Sequence, residues 1–453
     1  MYIQEINITS IRSIEQFRMT FSQYAGWHVL IGDNGAGKSI IIRAVALAML
    51  DFVDVSAARL NWNDWLQTGQ RTGTIDVRIA PDGRYESNGS VLQNRITLES
   101  EAFLTKTNQI TVIDGTASLL EMIFRGRKVY DKNQANYTTT TIPTGIAPQP
   151  IPTPPPSAPP QRQAWFSAAY GPFRRFTGGN AEKDSLFKTN PHLGAHLSAF
   201  GEDIALTEAL TYLTTLYFKL VTDRINGRQT DSTLDHLIQF INQGNLLPHG
   251  ATIYNVAVDS VWFRDGNGNL VEAIHLSDGY RSVLSLTFEL IRQLIRSYGT
   301  DLVFAGVRNG GKTIDVPGVV LIDEIDAHLH PTWQTRIGQW FTDHFPNLQF
   351  IVTTHSPLIC RACERGSIWR LAAPGSNEQA GEITGSIRDR LIYGNVLDAY
   401  GTGVFGDDVT QSEAWQNLAE QLALLNKKSI KGTITETERQ RLYDLRAKMP
   451  TVE

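Results

Sequence analysis

Polar and apolar positions alternate from Tyr2 to Ile8, a turn carries Arg12 and Ser13, and a second alternating stretch leads into the largely apolar run Trp27 to Ile31. Period-two alternation predicts strands, and the run predicts another. It stops at Gly32; beyond a glycine-rich stretch the chain is apolar and rich in helix formers from Ile40 to Leu50. The pattern therefore predicts strand, glycine loop and helix in succession. From about Thr74 to Ile113 short segments are broken by Pro81-Asp82-Gly83 and Asn88-Gly89, which suits an antiparallel meander. The Thr- and Pro-rich stretch Thr138 to Pro160, with Pro154-Pro155-Pro156 inside it, reads as an extended or disordered loop that forms no packed element. Ala164 to Ala169 reads as a strand that stops at Tyr170-Gly171-Pro172.

Farther along, Ile204, Leu206, Leu210, Leu213 and Leu216 recur at helical spacing within a stretch from about Asn180 to Asn245, predicting a helical insert too short for a long coiled coil. Ser282 to Tyr298 predicts another helix. Val319 to Ile322 and Leu348 to Val352 are continuous apolar strands separated by a helix over His330 to His344, the pattern of a parallel βαβ crossover. After Ile383 the chain is more polar and largely helical, and Thr433-Ile434-Thr435-Glu436 has the spacing of a capping box opening the last helix. These elements divide the chain into an α/β lobe at 1–178 that includes the loop at about 138–160, a helical insert at 179–275, a second part of the lobe at 276–375, and a C-terminal helical region at 376–453 that is a candidate docking surface.

With 453 residues the chain can bury a large core carrying insertions. A formal net charge of −5 and 19% charged residues argue against whole-surface affinity for nucleic acid, while a local basic groove stays open. No apolar run reaches the roughly 20 residues needed to span a bilayer, and MYIQEINITSIRS is not built as a signal peptide. The expectation is a cytoplasmic protein with no membrane contact. The two cysteines, Cys360 and Cys363, read by default as reduced core thiols, with half a zinc site or a redox pair as alternatives.

Chemistry enters with Gly32-Asp33-Asn34-Gly35-Ala36-Gly37-Lys38-Ser39, which fits G-x-x-x-x-G-K-[ST] in full. Such a loop turns backbone N–H groups of Asp33 to Ile40 toward phosphate oxygens. Lys38 neutralises the β- and γ-phosphates, and Ser39 is a Mg2+ ligand. ATP and Mg2+ are the expected cofactors. Asp323 and Glu324 end the apolar strand Val319 to Ile322; Asp323 suits Mg2+, and Glu324 suits polarising an attacking water. Between the two motifs, Leu276-Ser277-Asp278-Gly279 opens an apolar helix, so Ser277 and Gly279 offer a second phosphate-binding helix terminus, although alone the segment reads equally as a helix cap. Asn309-Gly310-Gly311-Lys312-Thr313 resembles the end of a phosphate loop but leads into a strand, hence a surface turn. His328 and His330 read as structural neighbours of the acid-ended strand, not as metal ligands.

The order of these motifs, together with Ile11-Arg12-Ser13, Ile322-Asp323-Glu324-Ile325-Asp326-Ala327-His328-Leu329-His330-Pro331 and Thr353-Thr354-His355-Ser356-Pro357, resembles the RecF/SMC-like ABC ATPases found as stand-alone and OLD-type proteins. The resemblance runs from residue 1 to about 370 and is strongest toward ATPases of bacterial anti-phage systems such as Septu and the retrons. It implies an α/β P-loop NTPase fold, an ABC-type head with an antiparallel β subdomain and a helical insert. It also implies an ATP-dependent homodimer, or a higher oligomer, in which Ser277 and Gly279 of one copy close over ATP held by Lys38 of the other. By the same resemblance His355 is a switch histidine acting with Glu324 in catalysis, Asp326 lies in the loop that crosses between subunits, and Arg12 sits beside the phosphates. The glutamine expected near Tyr170-Gly171-Pro172-Phe173-Arg174-Arg175 is missing.

Three roles follow as expectations. The first is an ATPase that controls a separate effector nuclease, of HNH type, in anti-phage defence; fewer than a hundred residues after His355, without an acidic strand-rich pattern, leave no room for a fused Toprim nuclease. The second is a RecF-like repair ATPase that clamps duplex DNA through Arg125, Arg127, Lys128, Arg174 and Arg175. The third is the nucleotide-binding subunit of a transporter, which the missing glutamine disfavours.

Overall fold

The computed structural model describes residues 1–50, 54–55, 58, 64–82, 92–99, 118–131, 136–143, 166–172, 190–201, 208–228, 231–376, 378–402, 404–405 and 413–448, the strands at 118–131 and 136–143 by their backbone. The alternation at the start of the chain becomes the hairpin β1 (Tyr2–Ile11) and β2 (Ile14–Thr20). Ile6 pairs with Met19 and Ile8 with Phe17, all four buried, while Thr9 faces solvent. β3 (Gly26–Ile31) instead is buried at every position.

That difference follows from the sheets. β3, β8 (Ser167–Tyr170), β12 (Gly318–Ile322), β13 (Leu348–Thr353) and β14 (Gly366–Arg370) run parallel in the order β14-β3-β13-β12-β8, and β15 (Gly381–Glu382) adds an antiparallel edge. Strands of a parallel sheet covered on both faces lose alternation. The second sheet has the order β2-β1-β4-β5-β6-β7, with β4 (Thr72–Ala80), β5 (Leu92–Glu99), β6 (Ser118–Asp131) and β7 (Asn136–Pro143). The two sheets are joined by Gln349, fully buried on β13, whose side chain accepts from the Ile3 N–H at 2.7 Å and donates to the Ile3 carbonyl at 2.9 Å.

The expected meander holds for β4 and β5, which pair antiparallel; β6, beyond it, joins β5 in parallel. Asn88-Gly89 lies outside the described residues. The expectation of a loop from Thr138 is corrected by the backbone, which carries Thr138 to Pro143 as the end of β7, antiparallel to β6. Consecutive β-branched threonines favour the extended backbone whatever the prolines that follow. Residues 144–160 lie outside the described residues.

The helices fall where the periodicity puts them. α1 (Lys38–Ala48) buries Ile41, Ile42, Val45 and Leu47 at no more than 1% exposure, each side chain stabilising the fold by roughly 1.5–3 kcal/mol. The insert supplies α2 (Glu208–Ile225) and α3 (Thr233–Gln243). Before the next long helix, α4 (Asp278–Tyr298), it also forms a three-stranded antiparallel sheet of β9 (Thr252–Val256), β10 (Val261–Arg264) and β11 (Leu270–Glu272), unforeseen in a segment read as helical. Its signal was present in the Asp265-Gly266-Asn267-Gly268 turn, where Asp265 Oδ1 accepts from the backbone N–H of Asn267 at 2.9 Å and Asn269 at 2.7 Å. α5 (Pro331–His344) is the crossover between parallel β12 and β13, as expected, and His330 caps it by accepting from the Thr332 N–H. Cys360 and Cys363 are buried free thiols.

The first compact unit, Met1–Tyr393, ends with α6 (Gly385–Tyr393). The second, Gly394–Glu453, contains α7 (Val396–Tyr400), α8 (Glu413–Ile430) and α9 (Glu436–Lys448), with Leu425, Leu442 and Leu445 at its core. The capping box opening α9 is shifted from the expected Thr433 to Thr435. The Thr435 N–H donates to Glu438 Oε2 at 3.0 Å and the Glu438 N–H to Thr435 Oγ1 at 3.3 Å; Lys428 fixes the same carboxylate. Among the described residues no helix is long and apolar enough to cross a membrane.

Two buried histidines make stability depend on pH. His28 sits in β3 with Nε2 2.8 Å from the Tyr24 carbonyl and Nδ1 2.9 Å from Ser367 Oγ, so the proton belongs on Nε2 and Nδ1 accepts. Burial lowers its pKa to about 4. His196 joins Asp54, His192 and Ser167 in a buried polar relay behind the edge strand β8, with Ser167 Oγ 3.1 Å from His196 Nε2 and His192 Nδ1 3.2 Å from Asp54 Oδ2. Ser167 is 2% exposed, so this Ser-His-Asp arrangement holds the edge in place and has no path for a substrate. Burial, then the neighbouring His192, lowers the His196 pKa to about 3. Both folded values lie below the unfolded one, so the stabilisation is complete above pH 6.5 and is lost as pH falls toward 4 for His28 and 3 for His196. Between pH 7 and pH 5, before carboxylates titrate, unfolding free energy is expected to drop by about 3–4 kcal/mol. Denaturant midpoints at the two pH values measure it; equal midpoints contradict the assignment.

Candidate nucleotide site

Parallel register assembles the site. Ile322 of β12 stands level with Val352 of β13 and Tyr170 of β8, and Val352 with Val29 of β3. One residue farther along, at the carboxyl ends where α/β sheets place ligands, come Asp323, Thr353 and the approach to the glycine loop.

The loop from β3 to α1 turns with Gly35 at φ 81 and Gly37 at φ 96, left-handed values that favour glycine. Gly37 is the N-cap of α1 and offers no side chain, and the first turn carries no acid. The helix's opening N–H groups therefore keep their demand for an anion. The nearest atoms over the loop's glycines come from Ser13, Ile14, Leu371 and Pro374, so the β1–β2 turn and the segment after β14 wall the loop. Lys38, 6% exposed, donates from Nζ to the Gly32 carbonyl at 2.7 Å and the Asp33 carbonyl at 3.0 Å. Burial lowers its pKa below the ordinary lysine value, while Asp323, Glu324, Asp33 and Asp326 pull it back up. One ammonium thus sits in the field of four acids from two distant motifs. Asp33, Asn34 and Gly35 are exposed; Ala36, Ser39 and Ile40 are half-buried.

Asp323 is 2% exposed. Its N–H donates to the Tyr170 carbonyl at 2.8 Å, and Oδ1 accepts from Thr353 Oγ1 at 2.6 Å. The same Thr353 oxygen accepts from the Glu324 N–H at 2.7 Å, fixing Glu324 in a left-handed backbone at φ 48. That strain is the kind tolerated at functional positions. Thr353 stands in the Thr353-Thr354-His355 motif without a role of its own in the sequence; its signal was a hydroxyl at the end of an apolar strand in register with an acid-ended neighbour. His355 is exposed just beyond β13, its N–H 3.4 Å from Asp326 Oδ2. A hydroxyl at Ser39 and a carboxylate at Asp323 are hard oxygen donors of the sort that hold Mg2+ alongside phosphate.

Three expected members make their contacts elsewhere or none in the chain. Ser277 is exposed at the N-cap of α4, and its side chain makes no cap hydrogen bond. A Cβ on Gly279 would stand 2.9 Å from the His328 carbonyl, so only glycine lets α4 rest against the loop after β12. Arg12 turns its Nε to the Asp64 carbonyl at 2.9 Å and lies 4.9 Å over the Trp65 ring; burial and then the neighbouring Arg43 lower its pKa. Of the basic residues considered for DNA, Arg125, Arg127 and Lys128 are on β6, described by backbone alone, and Arg174 and Arg175 lie outside the described residues. The arginines seen on that sheet are paired with acids, Arg18 and Arg78 with Glu5 and Arg95 with Asp76.

A family model described as "AAA domain, putative AbiEii toxin, Type IV TA system" (AAA_21) matches residues 28–361. The chain is 24% identical over 373 residues to Septu protein PtuA of Bacillus mycoides strain KBAB4, covering 81% of this chain and 40% of that protein. It is 38% identical over 107 residues to "Retron Ec83 probable ATPase" of Escherichia coli, covering 24% of this chain and 18% of that one. It thus spans less than half the length of these curated relatives. Among solved structures, an SMC head bound to the C-winged helix domain of ScpA aligns with 86% of this chain and 99% of that one at 14% identity and a TM-score of 0.43.

Proposed function

Because the chain belongs to this AAA_21 family, with the fold of an ABC-type P-loop ATPase head, we propose that it binds and hydrolyses ATP in a homodimer and that the ATP state controls a separate effector nuclease in anti-phage defence. The observation that carries the enzymatic part is the gathering of Lys38, Asp323, Glu324 and Thr353 at the carboxyl ends of adjacent parallel strands, beside an uncapped helix N-terminus. Ser39 and Asp323 would hold Mg2+, which when bound supplies positive charge against the phosphates. Lys38 exchanges its loop carbonyls for phosphate oxygens. Glu324 accepts a proton from the attacking water as the new oxygen–phosphorus bond forms at the γ-phosphate, and the electron pair of the breaking bond leaves on ADP. His355 orients the same water.

The dimer is supported by the signature segment. Ser277 faces solvent with no cap to make in its own chain, as a residue that serves a second copy must. The names of the Septu and retron relatives support the defence role. Arginines already paired on β2, β4 and β5 offer DNA little free charge there, which favours this reading over a duplex clamp.

Complementation tests the shared site. Lys38→Ala and Ser277→Arg should each be inactive alone. Mixed, they form heterodimers in which one site has an intact lysine and an intact serine, so random pairing is expected to restore about a quarter of wild-type ATP turnover. No recovery at any mixing ratio rules out a site built from two copies.

A further inference from the structure

Tyr170 ends β8, just where this chain lacks the expected glutamine. Its backbone carbonyl already holds the Asp323 N–H at 2.8 Å. Its side chain is 1% exposed, and β8 packs against α4, the helix that Ser277 opens. The phenol oxygen there makes no hydrogen bond. A buried hydroxyl without a partner is uncommon and costs stability, so it calls for a reason.

The surroundings supply one. Glu289 of α4, 1% exposed, is the charged group that acts most on that hydroxyl. Its carboxylate is gripped by Arg292 at 2.7 and 2.8 Å and by Gln293 at 2.7 Å. Burial, then Glu289, keeps the phenol protonated, so it is a donor, and the acceptor whose charge it feels is otherwise engaged. The far end of α4 is tied down, since Tyr298 donates to the Pro317 carbonyl just before β12 at 2.6 Å. At the other end Ser277 is exposed and its side chain makes no cap hydrogen bond, while Gly279 rests against the His328 carbonyl.

We propose that Tyr170 is a positioning residue whose hydroxyl takes Glu289 as its acceptor when the signature end of α4 moves onto bound nucleotide, linking the strand end that holds Asp323 to the helix that completes the site. This rests on the ATPase reading above. In the resting chain the bond is unmade; in the closed state it is made, and the difference favours closure.

Tyr170→Phe tests this, because it removes only the oxygen. Without nucleotide, its melting temperature should equal or exceed that of the wild type. With Mg–ATP, kcat should fall by about tenfold, the worth of one hydrogen bond to a charged group, while KM for ATP stays within about twofold. The increase in melting temperature on adding Mg–ATP should also shrink. A kcat within twofold of wild type, or a loss confined to KM, overturns the proposal. So does a variant that melts several degrees lower without nucleotide or does not fold, since the hydroxyl then has a partner at rest. A wild-type chain that does not turn over ATP removes the ATPase reading itself; a wild type that does, alongside an equally fast Tyr170→Phe, removes this inference alone.

Discussion

Glu324→Gln is expected to keep Mg–ATP affinity within about threefold of the wild type and to lose at least about a hundredfold in turnover, the range general-base loss commonly costs. The amide has the shape of the carboxylate and leaves in place the backbone bond from the Glu324 N–H to Thr353 Oγ1, so the strained φ of 48 at this residue is retained. What is lost is the basic oxygen. Bound ATP then persists, and with it the closed pair of subunits, so size-exclusion chromatography with light scattering should show a dimer with ATP that disperses when nucleotide is removed. Normal turnover by this variant places the base elsewhere.

Thr353→Val should combine a fall in stability with a fall in rate. One hydroxyl donates to the buried carboxylate of Asp323 at 2.6 Å and accepts from the Glu324 N–H at 2.7 Å. Valine keeps the volume and forfeits both bonds. Loss of a charge-assisted bond and of a buried acceptor is worth about 2–4 kcal/mol, read as a melting temperature lower by several degrees. Turnover should drop by about tenfold to a hundredfold, because the metal-facing acid and the base lose their common brace. Thr353→Ser, which retains the hydroxyl, should recover most of both. Wild-type melting and turnover in Thr353→Val show that the bridge does not matter.

Why the sequence shows a role for Lys38, Asp323 and Glu324 but none for Thr353 is a matter of distance along the chain. A phosphate loop is contiguous: glycines, lysine and helix start lie within one turn, and local backbone preference places them. The acids are legible because two carboxylates ending an apolar strand are costly to bury without a cation. Thr353 and Tyr170 act through lateral register between strands far apart in sequence, which no local spacing records. Elsewhere local signals competed. Thr433-x-x-Glu436 and Thr435-x-x-Glu438 both have capping-box spacing, and Lys428 bound to Glu438 goes with the second. At residues 138–143 the neighbouring prolines outweighed the threonines in the reading, although the backbone follows the threonines.

Gln349 remains. A side-chain amide that gives and takes a bond with one peptide unit of Ile3 imitates a rung of a ladder between sheets that are not otherwise paired there. Mechanically it removes slip: load arriving on β1 reaches β13 without play, and with it Thr353, five positions from the start of that strand. Displacing the antiparallel sheet would therefore displace the Thr353 bridge as a lever displaces its pivot.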